Sequence, residues 1–121
     1  MKVKCVRLVD AKGAPVGVSP WLTLGKVYAV LSLSFSREQG MQLRLIGDEG
    51  NGVAIFKMEE FEIVNGTIPP TWITFPGPKD TIQFAPEPWT ERGFWERYYD
   101  KDPAAVRIFD GESRKILAAA D

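Results

Sequence analysis

Six of the nine prolines in this 121-residue chain, Pro69, Pro70, Pro76, Pro78, Pro86 and Pro88, crowd into one stretch of twenty residues, and no long helix can run through it. Each proline removes a backbone donor and holds φ at a value suited to extended and turn conformers. Yet the stretch is no solvated tether, because Trp72, Ile73, Phe75, Ile82 and Phe84 lie within it. TWITF and TIQF flank PGPKD, a pattern that predicts a hairpin packed onto the rest of the molecule. Residues 65–88 therefore read as a Pro-rich hairpin extension.

Upstream, residues 1–64 read as short strands separated by turn chemistry. VKCVRL is short and β-branched, and the glycines and prolines from Ala11 to Pro20 stop any helix. From Lys26 to Leu33 the side chains of Val27, Ala29, Leu31 and Leu33 fall on one face and those of Tyr28 and Val30 on the other, as a half-buried strand requires. MQLRLI repeats the alternation, with Met41, Leu43 and Leu45 expected inward. SFSREQG predicts a hairpin tip between these strands, and GDEGNG supplies glycines for positive φ at the next reversal. VAIFK and FEIV follow, joined by MEE as a single helical turn. Five strands in this order predict a small SH3-like antiparallel β-barrel. An OB-like barrel is the rival, but it places a helix between its third and fourth strands, where this sequence has only a tight turn.

The tail, residues 89–121, is the helical part. PWTERGFWERYYD lacks strand alternation, and Asp102 followed by Pro103 makes an N-cap with proline at the first helical position. Ala105, Val106, Ile108, Phe109, Ile116 and Leu117 then recur at helical spacing, so one stripe faces the body. Gly111 weakens the middle by about 1 kcal/mol relative to alanine, which leaves open one helix or two broken at Asp110–Gly111. The predicted fold class is α+β, a single domain in which the barrel carries the hairpin and is closed by one or two C-terminal helices.

Histidine is absent and Cys5 is the only cysteine, so the chain lacks the side chains that most often move protons, bind transition metals or attack carbonyls near neutral pH. The expectation is a binding protein rather than an enzyme, with no cofactor and no metal. Carboxylates remain at Asp48 and Glu49 and at Glu59, Glu60 and Glu62, but adjacent acids catalyse only where burial or a fixed partner raises one pKa. The GDEGNG turn lacks the spaced acids of a calcium loop, and no Lys-Ser or Lys-Thr follows it to cradle phosphate. A formal charge of −1 with no basic block argues against nucleic acid. MKVKCVRLVD has no apolar run for a membrane span, and an unpaired cysteine suits the cytoplasm, where Cys5 is expected to be a small buried hydrophobe.

Acids outnumber bases from Phe61 onward, through Glu62, Asp80, Glu87, Glu91, Glu96, Asp100, Asp102, Asp110, Glu112 and Asp121. Such a half can steer a basic partner. The densest chemistry lies here, where Trp89, Phe94, Trp95, Tyr98 and Tyr99 interleave with Glu91, Arg92, Glu96, Arg97 and Asp100. On a helix Phe94 and Tyr98 share one face and Trp95 and Tyr99 the next. Either all five rings seal the helix onto the hairpin, or some reach a rim where aromatic residues carry binding energy. The second reading makes Trp89, Glu91, Trp95, Glu96, Tyr98, Tyr99 and Asp100 the candidate partner surface.

WLTLGKVYAVLSL followed by LRLIGDEGNGVAIFKMEEFEIV resembles small SH3-like bacterial domains, and PEPWTERGFWERYYDKDPAAVRIFD is similar to C-terminal segments of polymorphic-toxin immunity proteins. The resemblance implies a small cytoplasmic protein that binds and blocks a toxin, with an acidic aromatic patch suited to a basic toxin domain. The alternative is a small-molecule or peptide-binding regulatory module using the barrel face, for which Trp21, Tyr28 and Phe56 should line a deep pocket.

Overall fold

The computed structural model describes residues 1–50 and 52–119, so Asn51 of the GDEGNG turn and the acidic Asp121 lie outside the described residues. Eight strands run in chain order: β1 (Lys2–Cys5), β2 (Val27–Ala29), β3 (Ser32–Ser36), β4 (Gly40–Ile46), β5 (Val53–Lys57), β6 (Phe61–Asn65), β7 (Trp72–Pro76) and β8 (Ile82–Pro86). They form two antiparallel sheets, one in the order β2-β1-β6 and one in the order β5-β4-β3-β8-β7. Two helices follow, α1 (Phe94–Tyr99) and α2 (Pro103–Ala119). The α+β class holds.

The expected closed barrel does not form. A 3₁₀ turn at Met58–Glu60 joins β5 to β6, but no ladder pairs those two strands, so the sheets stay open between them. Instead the hairpin docks β8 along β3, with Leu33 opposite Phe84 and Phe35 opposite Ile82, and lengthens one sheet rather than closing a ring. The hairpin itself matches expectation, with Trp72 opposite Pro86 and Phe75 opposite Gln83. Lys79 and Asp80 turn in the left-handed region, where the Gly77 N–H donates to the Thr81 carbonyl at 2.7 Å.

The alternation expected from Lys26 to Leu33 breaks at Val30 and Leu31, which are adjacent and both fully buried. The Val30 N–H donates to the Met1 carbonyl beside the small sheet, whereas the Leu31 N–H donates to the Arg44 carbonyl of β4. Two successive residues thus serve two sheets, and the chain bends between them. Val27 is left exposed while Tyr28 is buried. Met41 also departs from expectation: opposite Phe35 at the open end of the large sheet, it is exposed rather than inward, and only Leu43 and Leu45 enter the core.

That core joins all three segments of the sequence. Val3, Cys5, Leu31, Leu43 and Leu45 from the strands meet Trp72 of the hairpin and Trp89, Phe94, Phe109 and Ile116 of the tail. The tail docks on part of the expected stripe: Ala105, Phe109, Ser113 and Ile116 are the buried residues of α2, whereas Ile108 and Leu117, each one residue off that line, are exposed. Ser113 is tolerated there because its hydroxyl donates to the Phe109 carbonyl at 2.6 Å. Asp102 caps the helix as expected, its Oδ2 accepting the Ala105 N–H at 3.1 Å. Gly111 does not break α2, which is one helix of 17 residues.

Candidate functional site

Three turns of chain assemble the aromatic cluster. A 3₁₀ turn at Glu87–Thr90 brings Trp89 inward; Gly93 takes φ 81° to start α1; and Lys101, also left-handed, reverses the chain into α2. Trp89 stacks on Phe109 at 5.2 Å, and Trp95 stands edge-on to Trp89 at 5.4 Å and to Phe94 at 5.1 Å. Tyr98 lies 4.5 Å from Phe109. Such ring pairs contribute about 0.5–1.5 kcal/mol each beyond the area they bury.

Depth separates the candidates. Trp89 and Phe94 are 3% and 1% exposed, so they belong to the core, and Trp89 is removed from the predicted surface. Trp95 and Tyr98 are half-buried. Tyr99 is 53% exposed, and its hydroxyl donates to the Val53 carbonyl on β5 at 2.8 Å. An open hollow of about 250 Å³ lies beside it, lined by Gly52, Val53, Tyr98, Lys101 and Val106. The charges are mixed. Arg97 approaches Glu91 at 3.8 Å, whereas Glu96 and Asp100 are exposed and form no ion pair among the described residues.

One residue of this cluster escaped the sequence reading. Arg44 projects from β4 so that its guanidinium carbon sits 4.0 Å from the centre of the Trp95 ring. No carboxylate pairs with it among the described residues and its Nε is buried without an acceptor; burial pulls its pKa below the usual value, against the opposing effect of the Tyr99 hydroxyl, which accepts a hydrogen bond from it. A lone charge within the apolar alternation MQLRLI was the available signal; its aromatic neighbour, far along the chain, was not.

A second polar node ties the long loop after β1 to the turn after β4. Asp48 Oδ1 accepts from Lys26 Nζ at 2.7 Å and from the Tyr28 hydroxyl at 2.9 Å, and Oδ2 accepts from the Thr23 hydroxyl at 2.6 Å. These donors, Lys26 first, hold the carboxyl at about 2. The node is a structural clasp with its acceptors already used. Glu60 is buried and accepts the Val9 N–H at 3.4 Å, and burial raises its pKa, while Glu59 and Glu62 are exposed.

Trp21, Tyr28 and Phe56 line no deep pocket. Trp21 meets Phe56 edge-on at 6.5 Å, and Tyr28 and Phe56 each meet Phe61 edge-on, so the rings pack on one another. Among the described residues no group of three or more His, Cys, Asp or Glu could hold a metal ion, and no helix is long and apolar enough to cross a membrane. No protein-family model, curated protein or solved structure matches the chain.

Proposed function

We propose that the chain is a non-catalytic protein-binding module that meets its partner through Glu91, Trp95, Glu96, Tyr98, Tyr99 and Asp100. The observation that carries this reading is Tyr99, a large half-exposed ring that its own hydroxyl bond to Val53 holds in place beside an open hollow. A ring fixed before contact loses little entropy on binding, and exposed tyrosines at a rim make strong anchors. Glu96 and Asp100 flank it with charge able to steer a basic partner.

The partner class we favour is a basic toxin domain, which makes the chain an immunity protein acting in the cytoplasm, where the single buried Cys5 has no disulfide to form. An SH3-like ancestry for residues 1–64 fits the strand order β2-β1-β6, the strand that bends from one sheet into the other and the 3₁₀ turn before β6. A photo-crosslinking residue tests the surface: at Glu96 or Asp100 it captures the native partner, and at Glu62 on the small sheet it does not. The reverse pattern sinks the proposal.

A further inference from the structure

Arg44, at the border of this same surface, is a cation with no carboxylate beside it among the described residues. β4 carries it on the face opposite Leu43 and Leu45, between its cross-strand neighbours Ser32 and Ile55. Trp95 covers one side of the guanidinium and the Tyr99 hydroxyl accepts one hydrogen bond from it, but Nε–H has no acceptor and no acid offsets the charge among the described residues. A partly buried charge without a counter-ion is unfavourable, and such charges are ordinarily paired. Arg44 also lines a notch of about 10 Å³ together with Ser32, Ser34, Gln42, Leu43 and Ile55, room for a single oxygen atom. The hydroxyls of Ser32 and Ser34 and the amide of Gln42 can each donate a hydrogen bond into it.

We infer that this notch receives a carboxylate oxygen from an acidic side chain of the protein partner, completing an ion pair with Arg44. A carboxylate fits where a larger anion does not, since one oxygen enters while the other stays in solvent. Arginine donors and a carboxylate acceptor make a strong charge-assisted bond in such a partly dry setting. Ile55, 51% exposed and directly opposite Arg44, supplies the apolar contact for the methylene stem of that side chain. The inference rests on the proposed partner surface, since Trp95 and Tyr99 of that surface both contact Arg44, but it is tested without the partner.

The test follows the Arg44 Nε–H resonance of the ¹⁵N-labelled protein while acetate replaces chloride at constant ionic strength. The expected result is a saturable shift at Arg44 and at the Trp95 indole, with half-saturation in the millimolar range. Ile55→Glu places a carboxylate opposite Arg44 within the chain itself; it should abolish the acetate response and fold at least as stably as the parent. Phosphate at the same ionic strength should shift Arg44 no more than chloride does. A linear drift with acetate, equal to that seen with chloride, overturns the inference and leaves Arg44 an internal strut stacked on Trp95. So does a destabilised Ile55→Glu variant that still responds to acetate. Loss of partner binding on replacement of Glu96 and Asp100, by contrast, reads the wider surface and leaves the acetate result of the parent protein untouched.

Discussion

Arg44 and Asp48 stand four positions apart and meet the problem of a partly buried charge in opposite ways. Asp48 accepts from Thr23, Lys26 and Tyr28, whereas Arg44 has an aromatic face, the Tyr99 hydroxyl and, among the described residues, no acid. Because the folded chain holds the Asp48 carboxyl at about 2 against an ordinary 3.8, the clasp stabilises the fold above that ordinary value and its contribution is lost as pH falls towards 2. Asp48→Asn should therefore melt earlier than the parent at neutral pH, and the gap should close in acid; urea midpoints from neutral pH downward check this. Cys5 is fully buried, and burial raises its thiol pKa. Its reaction with a thiol reagent should run no faster than the opening of the fold, and rapid labelling of native protein would contradict that burial. The position of Cys5 in a short β-branched run made its burial legible. The pairing of Arg44 with Trp95 was not, because local pattern carries no information on which distant ring will lie over a given side chain.

At the scale of elements, turn and cap chemistry was the most legible part. Asp102 and Pro103 marked the start of α2 correctly, and Asp102→Ala should lower stability by about 0.5–2 kcal/mol, read from denaturant melts. Gly111 sits inside α2, and an added Cβ meets nothing within 4 Å. Gly111→Ala should accordingly raise stability by about 0.5–1 kcal/mol, and a lower midpoint would show that α2 does not continue through this position. The prolines likewise announced the β7–β8 hairpin. What the period of two could not reveal was the bend at Val30 and Leu31, since a run of alternating apolar residues looks the same whether one sheet or two claim it. Met41 failed for a related reason: alternation assigns a face but not its depth, and Met41 is 40% exposed where Leu43 and Leu45 on the same face are buried.

The molecule as a whole is two open sheets sharing one core with a helical tail, and the open form follows from long-range pairing that sequence pattern does not encode. A hairpin that could have covered a barrel joins β3 instead, and the tail then inserts Trp89, Phe94, Phe109 and Ile116 into the common core. That insertion divides the aromatic cluster. Its inner rings hold the fold, and Tyr99 with Glu96 and Asp100 is left outside. Exposure therefore decided which part of the predicted surface stays available, a distinction that helical spacing alone could not make.

The most direct measurement of this account is the pair of rate constants for the native partner on folded variants of that surface. Circular dichroism and melting first establish that each variant is folded. Replacing Glu91, Glu96 and Asp100 by their amides should slow association and flatten its salt dependence with dissociation unchanged, because exposed charges act through steering. Tyr99→Ala should speed dissociation, at a cost of about 2 kcal/mol or roughly thirtyfold, and Tyr99→Phe, which keeps the ring but loses the hydroxyl's bonds to Val53 and Arg44, should fall between it and the parent. If the amide variant associates at the parental rate in low salt, and folded Tyr99→Ala holds the partner as long as the parent does, this surface is not where the protein binds.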